Sequence, residues 1–141
     1  MNCGGPIGLT RQECDELLIS RSVGRVAYTD RALPQVIPVN YAVDGTSIVF
    51  RTAHSSRLAA CCNHTVVAFE VDDVDETART GWSVLVIGDA NAITDESELV
   101  RARQLPFAPW ADGERDCYIR VIAGLVSGRI IPASCPTRRA S

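Results

Sequence analysis

Apolar and polar residues alternate with two different periods along this chain, and the places where the period changes mark its elements. Residues 11–20 follow helical spacing, with Cys14, Leu17 and Leu18 on one side. Thr10-Arg11-Gln12-Glu13 fits a capping box in which the Thr10 hydroxyl and the Glu13 carboxylate satisfy each other's backbone N–H groups. Residues 22–29 turn to strand chemistry, with Val23, Val26 and Tyr28, and Asp30-Arg31-Ala32 is a turn. A second strand covers residues 35–43 and contains Pro38. A proline there belongs at an edge, a bulge or a place where something other than a strand approaches. Asp44-Gly45 is a hairpin signal, and residues 47–52 form the returning strand.

The second half repeats this pattern with different punctuation. Ser55 or Ser56 can cap a short helix running to about Asn63, and residues 65–71 are strand again. Residues 72–81 are acidic and polar and read as a solvated loop. Residues 82–93 form a long strand interrupted by Gly88, where a bulge or bend is expected. Asp95 caps a short helix carrying Leu99, Val100 and Arg103. A loop over residues 106–113 holds Phe107 and Trp110, and residues 117–131 are the last strand. Six strands, three short helices and no regular strand–helix alternation predict a mainly β, antiparallel barrel. Residues 1–131 read as one domain and 132–141 as a tail with little to pack.

Composition narrows the function classes. With 46% hydrophobic and 22% charged residues and a net charge of −3, the chain reads as a soluble globular protein without the basic face of a nucleic-acid binder. It has no apolar run of membrane-spanning length, and residues 1–9 lack the charge and apolar core of a secretory signal. The expected compartment is the cytoplasm, with no membrane partner. The six cysteines then read as reduced thiols, some of them core residues. Cys61-Cys62-Asn63-His64 lacks a second ligand pair at a metal-site spacing, so no metal is expected. Asp72-Asp73-Val74-Asp75-Glu76 lacks the spacing and glycine of a calcium loop.

Candidate chemistry concentrates where the third strand ends. Residues 51–57 hold two guanidinium groups, Arg51 and Arg57, and three hydroxyls, Thr52, Ser55 and Ser56. Arginine is usually a solvated surface charge. Here its planar fork of donors, beside hydroxyls and helix-start N–H groups, suits phosphate oxygens. His54 reads as an exposed loop histidine. No Ser/His/Asp set, P-loop or Rossmann glycine signature appears, and no side chain is assigned a catalytic role.

The order of these pieces is more specific than any one of them. Gly24-Arg25-Val26, Leu33-Pro34-Gln35-Val36-Ile37-Pro38-Val39-Asn40-Tyr41, the Asp44-Gly45 turn and Val49-Phe50-Arg51-Thr52 lead to Ser56-Arg57-Leu58-Ala59-Ala60. Gly81-Trp82-Ser83-Val84, Gly88 and Pro109-Trp110 follow. The arrangement, over roughly residues 9–131, resembles the pyridoxamine 5′-phosphate oxidase-like, FMN-binding split β-barrel proteins, in particular a group common in actinobacteria.

The resemblance implies a six-stranded antiparallel Greek-key split β-barrel with a few short helices, paired as a homodimer with two FMN sites at the interface. It implies that Thr52, Ser56 and Arg57, with Arg51 beside them, meet the phosphate. The backbone of Pro38, Val39 and Asn40 would run along the flavin ring, and Ser83 and Trp82 would come from the other subunit. Trp110 reads either as a cover over the cofactor or as ordinary packing. Where pyridoxamine phosphate oxidases carry an arginine–leucine–lysine strand motif, this chain has Gln35-Val36-Ile37-Pro38-Val39, and no Arg-x-His motif is matched near Arg129. The expectation is therefore an FMN-dependent oxidoreductase passing electrons or hydride between a reduced nicotinamide and a small-molecule acceptor, without vitamin B6 oxidation. The alternatives are a non-catalytic or cofactor-free module acting as carrier or sensor, and a deazaflavin-dependent reductase.

Overall fold

Two tight hairpins set the register of the first half of the barrel. The computed structural model describes residues 7–108 and 116–133. Strand β2 (Val23–Asp30) runs into β3 (Leu33–Asp44) through Arg31 and Ala32, both at positive φ, so two residues suffice to reverse the chain. The next reversal, from β3 to β4 (Ser47–Thr52), takes Gly45 and Thr46, and Gly45 supplies the positive φ of 62°. Before β2 come the two-residue β1 (Ile7–Gly8) and helix α1 (Arg11–Ile19). After β4 come α2 (Arg57–Cys61), β5 (Thr65–Asp75), β6 (Thr80–Ala92), α3 (Glu96–Arg103) and β7 (Cys117–Ile131).

The six long strands pair antiparallel in the order β7–β4–β3–β2–β5–β6, and β6 pairs with β7 to close the ring. The expected six strands are thus present. The seventh, β1, is a short addition whose Ile7 and Gly8 lie against Ile130 and Arg129 at the far end of β7. Alternate residues of each strand point inward, where Val26, Tyr41, Phe50, Phe69, Val84, Val86, Ile119 and Val121 are buried. Cys14 and Leu18 of α1 and Leu58 of α2 join this core. The Thr10–Glu13 capping box is formed, with both reciprocal hydrogen bonds present.

A second, smaller cluster lies on the opposite face of β4 and β7, where Val49 and Tyr118 pack with Ile93, Ala102 and Phe107. It seats α3 outside the barrel. Asp44, only 8% exposed, ties this layer down by accepting from Arg101 of α3 at 2.7 Å and from Arg120 of β7 at 2.9 Å.

Gly88 is the expected irregularity. Ile87 pairs with Leu125 but Gly88 pairs with Ala123, so Gly124 is the extra residue of a bulge on β7. A Cβ on Gly88 would lie 1.8 Å from the Ile122 carbonyl oxygen, a contact that only glycine avoids.

Residues 72–81 correct the sequence reading. They are not a solvated loop: β5 continues to Asp75 and β6 resumes at Thr80, with Asp73 opposite Trp82 and Val74 opposite Gly81. The backbone ladder forms whatever the side chains are. Here the acidic side chains stay in water or meet Arg21, whose guanidinium reaches Asp73 at 2.5 Å. The turn itself is built by Asp75, which accepts from the N–H groups of Thr77 and Ala78, both at 3.0 Å. Helix α2 is also shorter than expected. Cys62 caps it, His64 takes a positive φ, and Asn63 turns out to accept from the Ala92 N–H.

Burial pushes the Asp44 carboxyl up, but hydrogen bonds and charge from Arg120 and Arg101 outweigh it and hold the group below the usual carboxylate range. Its stabilising contribution is therefore present above the unfolded Asp value of about 3.9 and lost as pH falls through the folded value. Asp44→Asn should lower stability at neutral pH by roughly 1.5–3 kcal/mol. Urea unfolding should show the gap to wild type closing at strongly acidic pH; a gap independent of pH would contradict this account.

Candidate cofactor site

Strand β3 changes partners halfway along. Residues 33–40 pair with β2, and only residues 41–44 pair with β4. Extending the β3–β4 register by one step beyond Tyr41–Phe50 would set Asn40 against Arg51, and by two steps Val39 against Thr52. That ladder stops at Tyr41–Phe50, while on its other edge β4 stays paired with β7 through Arg51 and Thr52, opposite Tyr118 and Cys117. The two strands therefore part between the 38–40 stretch and the end of β4, where Ala108 and Phe107 lie against Asn40 and Arg51. Pro38 is admissible on β3 because the strand needs donors along one edge only.

The two residues facing each other across this gap carry unsatisfied groups. Asn40 is buried and donates its Nδ2 to the Ala108 carbonyl at 2.6 Å, but its Oδ1 has no partner among the described residues. Arg51 lies with its guanidinium carbon 4.6 Å from the Phe107 ring centroid, and its Nε is buried with no hydrogen-bond partner among the described residues. A buried polar atom without a partner costs about 1–3 kcal/mol. One orphaned acceptor next to one orphaned donor suits a ligand that both donates and accepts hydrogen bonds. Phosphate oxygens alone, being acceptors, would leave Asn40 Oδ1 unsatisfied.

The remaining expected residues surround the gap in different ways. Pro38 is exposed. Val39 is buried with its side chain in the core, so only its backbone is available to a ligand. Thr52 Oγ1 and Ser56 Oγ lie 2.9 Å apart, and Ser56 also caps α2 by accepting from the Ala59 N–H at 3.0 Å. Arg57, expected at the phosphate, has a carboxylate partner of its own. Its Nε and Nη2 hold Asp30 in a two-pronged pair at 3.1 and 2.7 Å, which lowers the Asp30 pKa; Nη1 makes no hydrogen bond among the described residues. Asp30 and Arg57 are 27 positions apart, and nothing in the sequence spacing signals this contact. His54 is exposed, as expected, near Asp116 at 3.6 Å. Trp110 lies outside the described residues.

Trp82 and Ser83 lie on β6, where they pair with Ile130 and Arg129, whereas Arg51 and Thr52 pair with Tyr118 and Cys117 near the start of β7. From the other side of the ring, Pro38 pairs with Arg25, Arg25 with Glu70 and Glu70 with Leu85, which stands two residues from Ser83. The guanidinium of Arg21 covers the Trp82 ring at 5.3 Å. Ser83 lines an outward hollow of about 330 Å³ with Glu70 and Arg129. Burial, with Asp72 beside it, raises the Glu70 carboxyl to about 7 against the opposing charge of Arg25, and nothing in the sequence pattern singled Glu70 out.

Comparison with known proteins gives a consistent picture. The family described as pyridoxamine 5′-phosphate oxidase matches residues 10–130. An uncharacterized protein of Mycobacterium tuberculosis is 34% identical over 136 residues, covering 93% of this chain and 89% of that one. Among solved structures, an FAD binding protein from Mycobacterium smegmatis has a TM-score of 0.79 at 32% identity, over 89% of this chain and 98% of its own. A putative pyridoxamine 5′-phosphate oxidase from Corynebacterium glutamicum has 0.78 at 32%, over 91% and 99%.

Because Arg51 Nε is buried without a partner, Arg51→Met should leave the ligand-free chain as stable as wild type, or more stable. The midpoint of urea unfolding checks this. A marked loss of stability would show that Arg51 is held for structure and not for a ligand.

Proposed function

This chain belongs to the pyridoxamine 5′-phosphate oxidase family, and on that premise we propose that it is a flavoprotein whose cofactor lies in the opening between β3 and the end of β4. The observation that carries the proposal is the orphaned pair across the gap, Asn40 Oδ1 and Arg51 Nε. A flavin presents both donors and acceptors, in the N–H and carbonyls of its ring edge and in its ribityl hydroxyls. Its flat ring suits a strand edge walled by aliphatic side chains.

In this reading the backbone of Pro38, Val39 and Asn40 borders the ring, while Arg51, Thr52 and Ser56 hold the phosphate. Arg57, oriented by Asp30, offers its free Nη1 to the same phosphate. FMN is the cofactor that the sequence motif supports. The FAD binding of the Mycobacterium smegmatis neighbour extends the reading to FAD, which shares the ring, ribityl chain and first phosphate. When bound, the flavin supplies two-electron redox chemistry, here between a reduced nicotinamide and a small acceptor. The chain's own residues bind and orient it, and none need act as a general base. Pyridoxamine phosphate is not the proposed substrate, since Gln35-Val36-Ile37-Pro38-Val39 replaces the basic strand motif of those oxidases. The compartment in this reading is the cytoplasm.

The family resemblance, which assigns Trp82 and Ser83 to the cofactor site of the other subunit, makes the proposal dimeric. Cross-strand pairing lines up Val36, Ala27, Ala68, Ile87 and Leu125 in one outward row across β3, β2, β5, β6 and β7. Val36 and Leu125 are 67% and 69% exposed in a single copy. A second copy, packed on this row about a twofold axis, buries it and carries its Trp82 and Ser83 toward the opening of the first.

The test is the absorbance of the purified protein, with mass spectrometry of any released cofactor. A yellow dimer carrying one flavin per chain is expected. Arg51→Met should weaken flavin binding by roughly 1.5–3 kcal/mol, and Leu125→Asp should yield a monomer that loses flavin although Leu125 is remote from Arg51. A colourless protein with no calorimetric response to FMN would sink the proposal, and a released deazaflavin would replace its cofactor.

A further inference from the structure

The outward face of the barrel changes character one row beyond its apolar stripe. Pro38, Arg25, Glu70, Leu85 and Ser127 line up there across β3, β2, β5, β6 and β7 through successive cross-strand pairs. On the β5–β7 side this row lines the hollow of about 330 Å³, with Ser83 and Arg129 beside it. That volume is at the small end of the range for ligand sites, about 300–1,000 Å³.

Charges reach the hollow from three strands. Glu70 is half-buried, with Asp72 next to it on β5, Arg25 opposite it on β2 and Arg129 on β7; β6 brings Ser83 and Leu85. Arg25 lies 4.0 Å from the Asp72 carboxylate. Arg129 is exposed and makes no ion pair among the described residues. Burial first, and then Asp72, raise the Glu70 carboxyl to about 7 against the charge of Arg25, so the two carboxyl groups hold one proton below that pH. Two guanidinium groups then face one carboxylate. The surplus of one positive charge suits a single anionic group, and it disappears once Glu70 ionises.

We propose that this hollow binds the carboxylate of a small organic acid, and binds it together with the proton on Glu70. The Arg129 guanidinium offers the planar fork that fits a carboxylate, and the Ser83 and Ser127 hydroxyls are further donors. Leu85 gives the carbon skeleton of the acid an apolar surface. A phosphate dianion is the poorer fit, because its second charge finds no cation left to meet it. Pro38 stands in the same row two strands from Glu70, roughly 10 Å at about 4.8 Å per strand. In the flavin reading, on which this role alone rests, Pro38 borders the ring, so the acid is the small acceptor.

Calorimetry of the purified protein with benzoate, and with benzamide as its neutral counterpart, tests the site. Benzoate should bind at about pH 6 and roughly tenfold more weakly at about pH 8, the fall expected when a group titrating near 7 must stay protonated. Benzamide should not bind. Glu70→Gln, which fixes the neutral form, should bind benzoate equally at both pH values, and Arg129→Gln should weaken it at least about tenfold at both. Benzoate should also shift the visible absorbance of the bound flavin, with the half-saturation seen by calorimetry. No benzoate binding at about pH 6, equal binding of benzamide, unchanged affinity in Arg129→Gln or a pH dependence that survives Glu70→Gln would overturn the site; the benzamide comparison needs no variant to fold. Benzoate bound without a change in flavin absorbance would overturn the acceptor role alone. A protein that binds benzoate in this way but no FMN would uphold the site and sink the flavoprotein reading.

Discussion

A β-strand has two hydrogen-bonding edges, and most of this architecture follows from how β3 uses them. One edge serves β2 from Leu33 to Asn40, and the other serves β4 only from Tyr41 onward. The switch point is fixed by Tyr41. Its N–H donates to the Ser22 carbonyl at 3.0 Å, its hydroxyl donates to the Leu18 carbonyl of α1, and its ring packs edge-on against Phe69 at 4.7 Å. With Tyr41 held, Asn40 and Arg51 must face each other across a gap that no strand fills. Closing the gap would require a few more rungs between β3 and β4.

The electrostatics of the site follow from the same geometry. Arg51 and Arg57 looked alike in the sequence, yet one is half-buried against Phe107 and the other is held by Asp30 at the end of β2. An ion pair as exposed as Arg57–Asp30 adds little stability. Its effect is to fix the direction of a guanidinium that would otherwise sample many rotamers. Arg51 is the opposite case, a desolvated donor kept at an energetic disadvantage. Such placements are common where a ligand later supplies the missing partner.

Features set by local chemistry were legible in the sequence. Thr10 and Glu13, three residues apart at a helix start, gave the capping box; Gly45 gave the second hairpin, and Gly88 gave the bulge. Features set by pairing at a distance were not. The acidic run from Asp72 to Glu76 has the composition of a loop, but β6 offered it a ladder and its charges could stay in water. The contact between Asp30 and Arg57 and the position of Phe107 under Arg51 depend on elements far apart in the chain. The residues expected at the cofactor were brought together only in part. Pro38 to Asn40 and Arg51 to Arg57 flank the place where β3 and β4 part, whereas Trp82 and Ser83 lie on β6, three strands away from β3.

The central claim is that Asn40 Oδ1 and Arg51 Nε await a ligand between β3 and β4. Nuclear magnetic resonance of the ¹⁵N-labelled, flavin-stripped protein, following the Arg51 Nε–H and the Asn40 side-chain amide as FMN is added, addresses it directly. The account predicts that both signals move together and saturate at one FMN per chain. Bound FMN that leaves both signals in place would contradict it.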